Sequence, residues 1–276
     1  MERLSRLAGI GLVSAVLALS AAGAATADPG AATGPAQPAA TQQEMTPART
    51  VDVLVFYTPD VRDARGGTAQ TEATVRTAVS TMNAALTRSK VDGAVRLAHV
   101  AEISGVPSGT ASERLRWLST DGGVAAARNQ HRADLVSVIV PGSGGLAQVP
   151  GNVAPSDKTA NSAFSVLGND WLLPTGGGAG VLAHELGHNL GLSHDWATSP
   201  NTNPIYPYNK GFVTASGTID IMAYTSACPS TCQRVPYYSN PSIVIKGERL
   251  GRAGGDQPAD AVRTLNQTVP LISSYR

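Results

Sequence analysis

The run Val181 to Asp195 (VLAHELGHNLGLSHD) concentrates the groups able to do chemistry, and three of the chain's five histidines fall within eleven residues of it. On a helix His184 and His188 project from one face with one turn between them, so their imidazoles can share one cation. Glu185 lies about 100° around from His184, where its carboxylate can approach the open position of a metal without becoming a ligand. A residue six beyond His188 on a continuing helix would point away from the ion. The chain must therefore turn back before His194 can bind, and Gly191 can supply that turn in the left-handed conformation at a helix C-terminus. Three neutral nitrogen ligands and an open fourth position describe a catalytic Zn2+ centre, because structural zinc sites are closed by four protein ligands. Zinc lowers the pKa of a water towards about 7 and polarises a carbonyl, while Glu185 would carry the proton as general base and then acid. A bare HExxH arises by chance. Clustered histidines, a glycine at the turn and a downstream methionine in Asp220-Ile221-Met222-Ala223-Tyr224 make accident a poor explanation. Asp195 and other acids could join a calcium site, but no oxygen-ligand series at loop spacing is present, so calcium stays open.

The elements that must position these residues can be read from periodicity. Leu182, Leu186 and Leu190 are four apart on a different face from the histidines, the pattern of a helix packed on a core and lining a cleft. Val51 to Tyr57 (VDVLVFY) reads as a buried strand ended by Thr58-Pro59. Residues 68 to 90 put Val75, Val79, Met82 and Leu86 on one face of a long amphipathic helix. A strand over Val95 to Ile103, short helices around Leu115 and Val124, and a strand over Asp134 to Val140 follow; strands alternating with helices predict an α/β layer. Ala163 to Leu167 is expected to be an edge strand beside the cleft, after the Gly- and Pro-rich stretch from Pro141 to Gly151. His99 and His131 fall in this scaffold at no ligand-like spacing and are read as structural. Beyond residue 192 periodicity fades until a helix near Ala259 to Tyr275, which Pro270 should kink or shorten.

The chain ends and composition bound the setting. Arg3 and Arg6, an apolar run from Leu7 to Leu19 and the small-residue site Ala25-Thr26-Ala27 predict a signal peptide over 1–27, cleaved before Asp28. A membrane anchor is disfavoured because Ser14, Ser20 and Gly23 break the run, which falls short of the ~20 residues a spanning helix needs. Secretion follows, with no membrane contact after cleavage. Residues 28–49 are Ala-, Pro-, Gly-, Thr- and Gln-rich, a linker or pro-segment without a cysteine that could cap a metal. The 21 basic and 20 acidic residues nearly cancel and form no basic stripe, which argues against a nucleic-acid partner. Cys228 and Cys232 are the only cysteines, and in an exported protein the pair favours a disulfide over a soft-metal site.

HELGHNLGLSH resembles the extended zinc signature HExxHxxGxxH of the metzincin metallopeptidases, and Met222 looks like the methionine of their Met-turn. The continuation His194-Asp195 is similar to the reprolysin-like branch. VDVLVFYTP, AFSV, YPYNKGF, IMAY, YYSNP and ADAVRTLN resemble the bacterial peptidyl-Asp metallopeptidases, over about residues 51–276. The resemblance implies a metzincin fold of the α/β (α+β) class. A twisted mixed sheet would have the long helix and the zinc helix behind it, and a catalytic domain over 50–276 would divide into an upper subdomain, 50–191, and an irregular lower one, 192–276, with a C-terminal helix. It implies that Met222 floors the histidines without binding zinc and that Tyr224 could approach the metal or the oxyanion, as in astacin-like and serralysin-like enzymes. Relatives commonly carry further cysteines in the upper part; this chain has none there.

The resemblance further implies cleavage of protein or peptide substrates on the amino side of aspartate; separately, the chain is expected to act as a monomer. That preference needs a fixed cation in the pocket receiving the residue after the scissile bond. Lys210, Arg234 and Arg252 all follow the zinc helix. Arg234 is favoured, because it comes soon after the Met-turn, its planar fork can pair both carboxylate oxygens, and the Cys228–Cys232 loop would restrain its backbone. Two other classes compete. A zinc-containing binding module that had lost catalysis would normally lack Glu185, and a cell-wall amidase would act on peptidoglycan rather than protein.

Overall fold

The structure is a computed structural model that describes residues 49–151, 162–174, 177–200, 205–228 and 231–276. The signal peptide and all but the last residue of the linker lie outside the described residues. The chain opens with β1 (Thr50–Tyr57), whose apolar run is buried from Val53 onward. After α1 (Pro59–Ala64), α2 (Thr68–Ser89) buries Val75, Val79, Met82 and Leu86 along one face, as the spacing requires. Then come β2 (Ala94–Glu102), α3 (Ala111–Thr120), α4 (Gly122–Gln130) and β3 (Leu135–Val140). Two short pieces complete the sheet, β4 (Gly145–Ala147) and β5 (Phe164–Gly168). The strand order is β2-β1-β3-β5-β4, with β4 antiparallel and the others parallel.

That order fixes the layers. From β1 the chain crosses to β2 in one direction and from β2 to β3 in the other, so right-handed crossovers put α2 and the α3–α4 pair on opposite faces. Every residue of β3 is buried, as expected for a parallel strand covered on both sides. One expectation is corrected: β5 is not the edge strand. It lies between β3 and β4, all five of its residues are buried, and the edge is β4. Three residues, Gly-Leu-Ala, are too few to reveal a period of two, so the strand was hidden inside a stretch that reads as loop. His99 and His131 stack ring on ring with centroids 4.0 Å apart, a pairing invisible at their spacing.

The helix carrying the histidines is α5 (Gly180–Asn189); it buries Val181, Leu182 and Leu186 completely or nearly so and packs against α2 and β5. Beyond it the chain is mostly loop, with the strand pairs β6 (Thr218–Ile219) with β7 (Gln233–Arg234) and β8 (Asn240–Ile245) with β9 (Glu248–Leu250). The last element, α6 (Ala261–Ile272), tolerates Pro270 in its final turn and ends two residues later. Its buried face of Val262, Leu265, Val269 and Ile272 joins the same core as β1, and Thr268 Oγ1 donates to Leu190 O at 2.7 Å, satisfying a carbonyl left open at the end of α5. Among the described residues no helix is long and apolar enough to cross a membrane.

Candidate metal centre

Leu190 and Gly191 end α5 in a Schellman arrangement: Gly191, at φ 97°, donates to His188 O, and Leu192 N donates to Gly187 O. The reversal swings His194 back under the helix. Its Nε2 comes to 3.2 Å from His184 Nε2 and 2.9 Å from His188 Nε2. Around a tetrahedral zinc with Zn–N near 2.0–2.1 Å, nitrogens stand roughly 3.3 Å apart, so the three rings are gathered at ligand spacing. Their other nitrogens say what the facing atoms are. His184 Nδ1 is 2.8 Å from Ile221 O and His188 Nδ1 is 2.9 Å from Leu192 O. A carbonyl can only accept, so both Nδ1 atoms carry the proton and both Nε2 atoms present lone pairs to the same point. Burial, reinforced by the neighbouring imidazoles, lowers the pKa of His184 well below the usual value and that of His188 to about 4. Two fixed acceptors and a third imidazole nitrogen converging on one point fit a cation. Among the described residues no second group of three or more His, Cys, Asp or Glu side chains gathers at such range.

Glu185 is 4% exposed, and its carboxylate lies against Gly145 of the edge strand, where a Cβ would stand 2.5 Å from Oε1. Only glycine leaves that room. Burial pushes the carboxyl up to about 8. A cleft of about 570 Å³ opens beside it, lined by Gly145, Trp171, His184, Glu185, Tyr224 and Arg234 among others.

The floor is built by polar groups on irregular backbone. Asp195 Oδ1 accepts from Thr198 N at 2.9 Å and Oδ2 from Tyr224 N at 3.0 Å, tying the residue after His194 to the methionine loop. Asp220 Oδ1 accepts from Met222 N and Ala223 N, which folds that loop. Met222 is fully buried, with Sδ against Gly187 of α5. Tyr224 is 39% exposed, its ring 4.2 Å from that of His194 and 5.9 Å from that of His184. Cys228 and Cys232 are bridged, with Cα atoms 6.0 Å apart.

Of the three basic residues considered for the specificity pocket, only Arg234 lines the cleft. Lys210 is fully buried; its ammonium donates to Ser199 O and sits 4.8 Å over the Trp196 ring. Arg252 pairs by backbone with Ala259 and lines a small hollow beside Asp195 and Trp196. Sequence reasoning missed Trp171, which is 52% exposed at the cleft, and Gly145. It also missed the structural work of Asp220 and Lys210. An isolated Asp-Trp after a strand carried no signal, and the other three depend on contacts between distant segments.

A mostly parallel α/β layer carrying three converging imidazoles and a buried glutamate, followed by a buried methionine loop, is the make-up of a metzincin-type metallopeptidase. The pattern of metallo-peptidase family M12 (Reprolysin_5) matches residues 47–239, and the chain belongs to that family. It is 34% identical over 234 residues to a peptidyl-Asp metalloendopeptidase of Xanthomonas campestris pv. campestris, covering 82% of this chain and 52% of that protein. A Pseudomonas aeruginosa protein of the same name is 27% identical over 251 residues, 83% of this chain and 40% of its own length. The chain thus spans about half the length of the curated relatives it matches. A solved chain from "Structure of a chaperone-substrate complex" superposes with a TM-score of 0.63 over 82% of this chain and 39% of that one, at 23% identity, a likeness of fold.

Proposed function

We propose that the protein is a secreted zinc-dependent endopeptidase that cleaves peptide bonds on the amino side of aspartate. The observation that carries the reading is the convergence of three Nε2 atoms, two of them left unprotonated by Nδ1 donation to carbonyls, beside Glu185 in an open cleft. His184, His188 and His194 would hold the ion. When bound, zinc supplies Lewis acidity that lowers the pKa of a water towards about 7 and polarises the scissile carbonyl.

Glu185 removes the proton of the attacking water and returns it to the leaving amine; a carboxyl whose pKa is raised towards neutrality suits both halves of that task. No covalent intermediate is required. Tyr224 has no protein partner for its hydroxyl among the described residues and stands beside the triad, positioned to donate to the developing oxyanion. Met222 supports the rings from below. Arg234 receives the aspartate carboxylate, as the names of the relatives suggest. The signal peptide over 1–27, the linker over 28–49, action as a monomer and division of the catalytic domain near residue 191 belong to the same proposal.

The test is a digest of casein and of peptidoglycan by the zinc-loaded protein, by the chelated protein and by the chelated protein given zinc again. Casein cleavage that disappears and returns with zinc is expected. Release from peptidoglycan with casein untouched would replace the reading by a cell-wall amidase.

A further inference from the structure

Arg234 does more than line the cleft. Its Nη1 donates to Asp220 O at 2.9 Å, Ile221 O at 3.1 Å and Ala223 O at 2.9 Å, three carbonyls of the methionine loop turned inward around one nitrogen. Among the described residues no backbone N–H reaches these three oxygens. Without the guanidinium, Asp220 O and Ala223 O would be left as carbonyls in a protein interior with no donor, an arrangement native structures avoid. Ile221 O has one other partner. It is the acceptor that fixes His184 Nδ1, at 2.8 Å, and so sets the tautomer and ring angle of the first imidazole.

We infer that Arg234 is a clasp on the methionine loop that orients His184 through the Ile221 carbonyl, so that recognition of the residue after the scissile bond and the geometry of the metal ligands run through one side chain. The inference rests on the endopeptidase reading above and deepens it. Nη1 is committed to the loop. Nε and Nη2 have no partner among the described residues, and the side chain lines the cleft, so these two donors form the fork edge available to an incoming carboxylate. The backbone of Arg234 is itself fixed: it pairs with Ile219 in the β6–β7 ladder, and Val235 N donates to Ile219 O at 2.8 Å. The methionine loop is thus held from the strand and from the side chain together. Arg234 acts on the metal as a positioning residue, and its loss should be felt even by substrates that carry no carboxylate.

The experiment compares wild type, Arg234→Ala and Arg234→Lys as full chains, measuring zinc affinity by competition with a chromophoric chelator and kcat/KM on matched peptides with Asp or Leu after the scissile bond. Arg234→Ala is expected to weaken zinc binding by about 10- to 100-fold, the usual effect of removing a group that orients a metal-binding histidine. It should also lose activity on the leucine peptide. A lysine ammonium can still donate to the clustered carbonyls but offers no fork, so Arg234→Lys should hold zinc close to wild type while the Asp-to-Leu ratio collapses. If Arg234→Ala does not fold, Arg234→Met, which keeps the stem and loses the donors, takes its place. Wild-type zinc affinity in the alanine or methionine variant would overturn the clasp. So would a lysine variant that loses zinc as badly as alanine, because loss of packing would then explain both. An unchanged Asp-to-Leu ratio in the two variants removes Arg234 from the specificity pocket and leaves the clasp standing, so the two readings fail separately.

Discussion

His184 and His188 converge through helical periodicity, on a helix whose apolar side is fully buried, whereas His194 is carried by a loop and reaches the same point through side-chain bonds to irregular backbone. Above the cleft, regular hydrogen bonding satisfies the backbone and side chains are free to pack. Below it the backbone has no such ladder, and Asp195, Asp220, Arg234 and Lys210 supply the missing partners. The contrast says where each half should break. The histidines apart, changes above should remove chemistry and leave the metal in place; changes below should loosen the metal or the methionine loop.

The largest effect belongs to the helix. Glu185→Ala should lower kcat/KM by about a hundredfold to ten-thousandfold, the range of general acid–base catalysis, with zinc content unchanged by elemental analysis. Next comes the loop, where Asp195→Ala strands the N–H groups of Tyr224 and Thr198 and should weaken zinc binding by about 10- to 100-fold. Dialysis against a graded chelator would show this, and a variant that kept its zinc would erase the contrast between the two walls.

Smaller effects sharpen it. Reducing the Cys228–Cys232 bridge removes a crosslink of sequence separation 4, which the chain-entropy estimate values at about 2 kcal/mol. Thermal denaturation should move down by roughly 4–8 °C as one cooperative transition, and outright unfolding under mild reductant would show the floor to depend on the bridge far more than this. The last effect is electrostatic. Burial raises Asp220 to about 7, and its Oδ2 has no partner among the described residues. For a carboxyl raised on folding, the native state favours the protonated form: that contribution is complete below the ordinary value of 3.8 and is lost as pH climbs through about 7. Asp220→Asn removes the charge and keeps an oxygen for Met222 N and Ala223 N, while its unpaired amide costs ~1–3 kcal/mol in return. Its melting temperature should therefore gain on wild type between about pH 4 and 7 and run parallel above that, by differential scanning fluorimetry.

The same division explains what could be read beforehand. The spacing of Val75, Val79, Met82 and Leu86 marks α2, four-residue intervals mark both faces of α5, and Gly191 marks the reversal, because each is a local consequence of helical geometry. The edge strand β4 escaped because three residues carry no period, and its essential feature, the missing Cβ at Gly145, matters only once Glu185 is folded against it. Asp220 and Arg234 act through carbonyls brought together by the fold, so no interval in the chain announces them. Arg234 was reachable as a cation after the methionine loop, but its grip on Ile221 O was not.

The products of the zinc-loaded protein decide whether this chain is a zinc endopeptidase that cuts before aspartate. Mass spectrometry of the peptides released from a mixed-protein digest reads activity, cleavage position and preference together. New N-termini beginning with aspartate, absent after chelation and absent with Glu185→Ala, are the predicted result; zinc-dependent cleavage with no enrichment of aspartate after the cut, or cleavage that survives in Glu185→Ala, would contradict it.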